Sequence, residues 1–487
     1  MSQHVTSGVL VGVEPIPVHI ETTLGGGRGQ FIIVGLPDAA VRESRERVRS
    51  AIKASGFPFP KGRVVVSLSP ADLPKAGSSY DLPIAISLIN AAKGIGARLG
   101  DFVAIGELSL HGAVLPTRGA IAAACVAEAT SAVALVPVGS VVPRSLVAST
   151  ATVATLADAV AAIRTPSALP GANMSPATTR HATDLADLRG QPTARRALEI
   201  TAAGGHHMLM IGPPGAGKSM LAACLPSLLP PLSEAEEREV ALIQAAHGGG
   251  TTSAAPPFRA PHHSISIPAM VGGGAGIPVP GEVTRAHRGV LFLDELGEFP
   301  PAVLDALRQP MEAGHLVVSR QAASVRFPSQ IQVVAASNPC PCGYRDDRLE
   351  GCQCTDQQLG RYRARLSGPL LDRFDVRLTV ERLRPAELRG PGGEPSAAVR
   401  ERVLEARRCQ HERGVLNRDL GAGDLESLED PVTVPAFLVA EPSAAGLTAR
   451  GWNRVRRVAR TIADLEQAEL TTDIHIKEAM DLREKVA

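Results

Sequence analysis

The chain has 487 residues, 44% of them apolar and 20% charged, with a net charge of +1. That length exceeds one ordinary hydrophobic core and suggests about three domains, while the near-neutral charge excludes a polybasic coat for nucleic acid, so any such surface must be local. No apolar stretch reaches the roughly 18 residues of a membrane span, and Met1 to Gly12 lacks the basic leader and apolar core of a signal peptide, so a cytoplasmic location with no membrane partner is expected.

In chain order, residues 1–164 mix β-rich runs at Phe31–Val34, Val64–Leu68, Val103–Ile105 and Ala132–Val138 with helical stretches at Ala39–Ser55 and Gly119–Ala129. An α/β or α+β domain is predicted there. Residues 165–183, rich in Pro, Ala, Ser and Thr, read as a linker. Residues 184–384 form a second domain, and 385–487, mainly helical and rich in Arg and Glu, a third, with Pro391-Gly392-Gly393 marking a loop near the junction.

The second domain carries the most specific signal. Gly212-Pro213-Pro214-Gly215-Ala216-Gly217-Lys218-Ser219 fits the P-loop pattern G-x-x-x-x-G-K-[ST] at every position. It follows an apolar run, Met208-Leu209-Met210-Ile211, that reads as a buried parallel strand, and leads into the helical Met220–Leu225. Glycines let backbone N–H groups close around phosphates, the helix N-terminus favours negative charge, Lys218 neutralises the β/γ oxygens, and Ser219 can ligate Mg²⁺. Nucleotide binding and hydrolysis, with ATP and Mg²⁺, are the expected chemistry.

A Gly/Pro-rich excursion, Gly248 to Gly281, comes next and is longer than a compact domain needs. It contains His262 and His263, for which loop packing or nucleic-acid contact is favoured over metal binding, since no third ligand stands at a recognisable spacing. Val290-Leu291-Phe292-Leu293-Asp294-Glu295 is then an apolar strand ending in two carboxylates, Asp294 for the Mg²⁺ shell and Glu295 to orient or deprotonate the attacking water. His315–Arg320 and Ser324–Phe327 read as a β-hairpin that carries Arg320 and Arg326, candidates for phosphate-backbone contacts or for plain salt bridges. A third buried strand, Ile331–Ala335, runs to Asn338, which is placed to polarise the γ-phosphate or its water.

Directly after it, Cys340, Cys342, Cys352 and Cys354 form C-x-C, nine residues, C-x-C. Four thiolates so close together can close a tetrahedral Zn²⁺ site, although C-x-C is tighter than the usual C-x₂-C knuckle. In Gly368-Pro369-Leu370-Leu371-Asp372-Arg373-Phe374-Asp375, Arg373 ends an apolar helical turn and suits the spread charge of phosphoryl transfer, often from a neighbouring subunit.

The order of P-loop, Asp-Glu strand, Asn strand and Leu-Leu-Asp-Arg-Phe-Asp resembles the AAA+ ATPases of the branch that includes magnesium chelatases and MCM helicases. The chain is most similar to the YifB/ComM family, whose marks stand here as Phe258-Arg259-Ala260-Pro261-His262-His263, Pro280-Gly281-Glu282, Ala286–Glu295, Leu304–Pro310 and Val458–Leu465. The resemblance implies an α/β AAA+ core with a helical lid, an insert within the second helix and a hairpin before the sensor strand. By position it implies Lys218 and Ser219 as Walker A, Asp294 and Glu295 as Walker B, Asn338 as sensor 1, Arg373 as the finger given to the next subunit and Arg450 as sensor 2. Arg454, Arg456 and Arg457 lie within the next two turns and compete with Arg450 for that role.

Ala71–Ser79 and Gly106–Pro116 resemble the proteolytic domain of Lon proteases, a fold shared with a domain of ribosomal protein S5. Ser79 falls at the nucleophile position, but Ile121 falls where the activating lysine belongs and cannot take a proton. An assembly or DNA-handling module is therefore expected rather than a protease. For the whole chain the resemblance implies a homo-hexameric, ATP-driven motor on single-stranded or branched DNA, promoting branch migration in natural transformation or homologous recombination. A magnesium-chelatase ATPase subunit that drives Mg²⁺ into porphyrin is the alternative, disfavoured on the ground that such a subunit would begin at the AAA+ core. A Lon-like ATP-dependent protease is the third reading, disfavoured by Ile121.

Overall fold

The computed structural model describes residues 4–27, 29–73, 75, 77–95, 99–165, 171, 173–174, 183–249, 253–274, 276–320, 323–345, 347, 350–366, 368–384, 387, 390, 392–440 and 447–483. The chain divides into two units, one of Met1–Thr178 with Ser233–Ala254, the other of Thr179–Leu232 with Ala255–Ala487. Most of the 165–183 stretch read as a linker lies outside the described residues, and Asn173–Met174 within it pairs in parallel with Val141–Val142.

In the first unit a seven-stranded mixed sheet runs in the order Thr150–Val153, Val133–Pro137, Phe102–Ala104, Val5–Val11, Glu14–Gly25, Arg63–Ser69, Gln30–Val34. Period-two burial explains the strand Arg63–Ser69, where Val64, Val66 and Leu68 turn inward. Asp38 starts the helix Ala39–Ala54 by accepting from the Val41 amide at 2.8 Å. The helix Asp81–Lys93 is buried without a break from Asp81 to Ile89, so its one carboxylate needs a partner. Arg47 supplies it at 2.8 Å, yet burial still pushes the Asp81 carboxyl up to about 6.

The sequence reading keeps 184–384 together, whereas the helix Glu234–His247 packs within the first unit. Ala241 and Ala245 join Ile121, Ala124, Val142 and Leu146 in one apolar cluster, and Arg238 forks onto Glu128 at 2.6 and 2.9 Å. An exposed pair of that kind contributes less than about 1 kcal/mol, so burial of the small apolar stripe against the Ala-rich helix Ala120–Ala129 decides the placement.

The second unit is built on a five-stranded, wholly parallel sheet in the order Phe258–Arg259, Val290–Leu293, Gln332–Ser337, Met208–Ile211, Val376–Thr379. Val290–Leu293 and Gln332–Ser337 are buried at every residue, which is why these strands read as unbroken apolar runs. The Gly248–Gly281 excursion is more ordered than a long loop: Phe258–Arg259 is the edge strand, Ile267–Val271 a helical turn, and Gly272–Gly273 pairs antiparallel with Val279–Pro280. Phe258 stacks on Phe292 at 6.1 Å and Arg259 forks onto Glu282 at 2.6 and 2.9 Å.

His315–Ser319 and Ser324–Pro328 form the expected hairpin, with Leu316, Val318, Val325 and Phe327 turned inward and Val317 opposite Arg326 on the exposed face. The C-terminal helices Ser396–Glu412 and Ala449–Leu465 bury Val399, Val403, Val455, Val458 and Ile462 in the same core as the P-loop strand. No helix among the described residues is long and apolar enough to cross a membrane.

Candidate nucleotide site

Ligands of open parallel sheets sit beyond the carboxyl ends of the strands, and the P-loop, Asp294 and Asn338 follow three adjacent strands of this sheet. At the loop's start the Gly212 amide donates to Ser337 O at 3.1 Å, and a Cβ on Gly212 would stand 2.1 Å from Val380 O, so only glycine fits between the neighbouring strands. Gly215 and Gly217 take φ of +79° and +91°, the left-handed geometry that turns successive amides the same way. Pro213, Pro214 and Ala216 complete the loop, and the helix Lys218–Leu228 begins at Lys218 itself.

Lys218 is 8% exposed and its Nζ donates to Gly212 O at 2.6 Å, Pro213 O at 2.9 Å and Asn338 Oδ1 at 3.2 Å. Burial lowers its pKa from the ordinary lysine value, against the pull of Asp294 and Glu295. Ser219 Oγ donates to Asp294 Oδ2 at 2.8 Å, so a hydroxyl and a carboxylate converge as the hard oxygen pair that a Mg²⁺ shell uses. The sequence-predicted residues thus meet in two hydrogen-bonded pairs, Lys218 with Asn338 and Ser219 with Asp294, brought together by adjacent residues of the P-loop.

Glu295 follows in a left-handed conformation, φ 54°, and its Oε2 lies 3.2 Å from His263 Nδ1. His263 packs within its loop as expected, its ring centroid 4.0 Å from that of His262, and the contact adds Glu295 as a partner. His263 also meets Phe299 edge-on at 6.4 Å, while His262 turns to Ser264 Oγ at 2.8 Å. Sequence carried no spacing rule for the His263–Glu295 pair, because the two sit on loops after neighbouring strands. Tyr362 was missed as well; its hydroxyl donates to Asn338 O at 3.1 Å and steadies the backbone there.

The candidate arginines are placed differently from one another. Arg373 Nη2 pairs with Glu312 Oε1 at 2.9 Å, its Nε donates to Arg308 O at 3.2 Å, and its Nη1 donates to Pro369 O. On the lid helix, Arg454 pairs with buried Asp375 at 2.5 Å, Arg456 with Glu429 at 2.5 Å, and Arg457 donates to Leu420 O at 2.9 Å. Arg450 alone of the four is exposed, at the first turn of Ala449–Leu465. Arg320 and Arg326 are exposed on the hairpin, where Arg320 Nη1 donates to Ser319 O at 3.1 Å.

The four clustered cysteines converge. Their sulfurs all lie within 4.8 Å of one another, with Cys340 Sγ 3.3 Å from Cys342 and 3.7 Å from Cys352. A tetrahedron with metal–sulfur bonds of about 2.3 Å has sulfur–sulfur edges of about 3.8 Å, so the set fits a thiophilic metal ion. Amides of Tyr344 and Gln353 point at Cys342 and lower the pKa of its thiol, whereas burial raises that of Cys340 and the neighbouring sulfurs raise that of Cys354, so the fit to a metal rests on the geometry of the four sulfurs.

Comparison with known proteins adds the family context. The model described as magnesium chelatase, subunit ChlI, matches residues 184–388, that of subunit ChlI of Mg-chelatase matches 20–140, and that of the ChlI C-terminal part matches 393–483. The YifB protein of Escherichia coli (strain K12) is 41% identical over 490 residues, covering 97% of this chain and 95% of its own. Competence protein ComM of Haemophilus influenzae is 40% identical over 507 residues, covering 99% and 97%. Lon protease 2 of Bacillus subtilis is 32% identical over 135 residues, 26% of this chain and 24% of its own.

Proposed function

The chain belongs to the YifB/ComM family of magnesium-chelatase-like AAA+ ATPases, and from that premise we propose that it is a homo-hexameric, ATP-driven DNA motor that promotes branch migration in natural transformation or homologous recombination. The observation that carries this reading is end-to-end similarity to a competence protein in a chain whose P-loop, Asp-Glu and Asn motifs form one hydrogen-bonded site.

In this reading Lys218 leaves the Gly212 and Pro213 carbonyls for the β/γ-phosphate oxygens, and Ser219 and Asp294 would hold Mg²⁺, which would supply positive charge against those phosphates. Glu295, steadied by His263, takes the proton of the attacking water; Asn338 orients it. Arg373 of a neighbouring subunit and Arg450 of the lid meet the charge that spreads over the transferred group. Elimination supports Arg450, because Arg454, Arg456 and Arg457 are committed to partners inside the fold.

A six-membered ring presents the hairpin six times around one pore, so Arg320 and Arg326 supply about a dozen phosphate-facing charges, enough for strong and sequence-independent binding despite the neutral chain. DNA binding falls steeply with salt, Arg320→Ala and Arg326→Ala weaken it alike for every sequence, and ATP drives separation of a four-way junction. A hexamer that hydrolyses ATP but binds no DNA at low salt defeats the motor reading.

The chelatase alternative is then the one to test, by porphyrin-stimulated turnover. A chelatase-named model also matches residues 20–140, so the N-terminal block does not by itself set this chain apart from such subunits. Proteolysis is a weaker alternative. Ile121 is 4% exposed inside the apolar cluster beneath the first unit's sheet, and Ser79 lies in the turn Ser78–Tyr80. Casein incubated with the protein and ATP stays intact; degradation that disappears in Ser79→Ala overturns this.

The tetracysteine site takes one structural Zn²⁺ per chain. Metal analysis of protein purified without chelators finds about one equivalent, and replacing Cys352 and Cys354 by Ser removes it. A fully stable, metal-free wild type that takes up no added zinc leaves the cluster as ordinary thiols.

A further inference from the structure

We propose that the metal held by Cys340, Cys342, Cys352 and Cys354 gates the ATP site: loaded, it holds the P-loop and Asn338 in their binding geometry, and its loss weakens nucleotide binding. The inference rests on the zinc reading above and extends it from a structural staple to a control of the ATPase.

Three contacts carry it. The first runs along the chain: Asn338, whose Oδ1 receives Lys218 Nζ at 3.2 Å, stands two residues before Cys340, which is 0% exposed. A shift of that cysteine moves the sensor directly. The second is a backbone contact. Gly343, φ +87°, closes the Cys340–Cys342 turn, and a Cβ there would lie 2.6 Å from Pro214 Cδ, so the turn rests against the P-loop itself.

The third is a strut. Arg382 Nη2 reaches Pro214 O at 3.5 Å, while its Nη1 holds Glu350 Oε1 at 3.1 Å, its Nε lies 3.8 Å from Asp347 Oδ2, and its guanidinium lies 5.6 Å from the Tyr344 ring centroid. One arginine therefore ties both ends of the cysteine loop to the phosphate loop.

Between Cys340 and Cys354 the sequence offers only Tyr344 and Leu349 as large apolar or aromatic side chains, few for a loop of that length. A thiolate-bound metal closes the loop at its base, joining the residues after the sensor strand to those before the helix Asp356–Arg365. Its removal frees the turn that Pro214 and Asn338 lean on.

The test uses the full chain purified without chelator, a fluorescent ATP analogue and metal analysis. Affinity is measured for the zinc-loaded protein, after stripping by a chelator, and after zinc is returned. Stripping weakens nucleotide binding about tenfold or more, and zinc restores it.

Arg382→Ala cuts the strut without touching a thiolate, so it keeps one zinc per chain yet loses affinity to a similar degree. Equal affinity in loaded and stripped protein overturns the gate while leaving the zinc reading intact; no zinc in the preparation and none taken up on titration overturns both. Should stripping unfold the chain by circular dichroism, Arg382→Ala and Gly343→Ala decide. Folded, zinc-loaded variants with unchanged ATP affinity overturn the gate.

Discussion

Lys218→Ala abolishes measurable nucleotide binding, whereas Glu295→Gln binds ATP as tightly as the parent and turns it over about 10²- to 10⁴-fold more slowly. The split follows from where each side chain sits. Lys218 is buried at the loop's floor and its ammonium is already given to oxygen acceptors, so a phosphate takes over those same three donors; alanine leaves that charge unmet. Glu295 stands outside this cage, exposed and beside His263, so its loss as a base is expected to leave phosphate binding intact. Fluorescent-nucleotide titration and phosphate release measure the two effects separately. Undiminished turnover in Glu295→Gln removes that residue from the catalytic role.

Arg373→Ala gives the second large effect: ATP is bound, hydrolysis falls about 10³-fold or more, and mixing with Lys218→Ala subunits restores part of the activity. Inside its own chain Arg373 is engaged by Glu312 and by the Arg308 carbonyl rather than by the P-loop lysine or Glu295. Reaching phosphate from a neighbouring subunit therefore exchanges one carboxylate partner for another anion. In a mixed ring the Lys218→Ala subunit has a dead site and an intact arginine, and the Arg373→Ala subunit the reverse, so only a finger acting between subunits yields rescue. Mixed assemblies that stay inactive refute the trans assignment, and loss of ATP binding in Arg373→Ala shows a folding role instead.

What sequence determined on its own were features written in consecutive residues. The P-loop, the strands Met208–Ile211 and Val290–Leu293, and the hairpin were legible because phosphate cradles, buried parallel strands and antiparallel pairs each impose a short local pattern on residue type. The family followed from those motifs in their order, and with it the α/β class.

Tertiary structure decided what depends on which strands are neighbours. His263 meets Glu295 because Phe258–Arg259 lies beside Val290–Leu291, and Gly343 meets Pro214 because Gln332–Ser337 lies beside Met208–Ile211. The helix Glu234–His247 left the ATPase unit because small apolar side chains on its face fit the Ala-rich helix of the other unit, a complementarity that chain order does not encode. Arginine shows the limit most plainly. Arg450, Arg454, Arg456 and Arg457 read alike along one helix, and only the facing carboxylates and carbonyls separate the exposed one from the three the fold has used, since burial and pairing belong to the neighbours a residue acquires rather than to the residue itself.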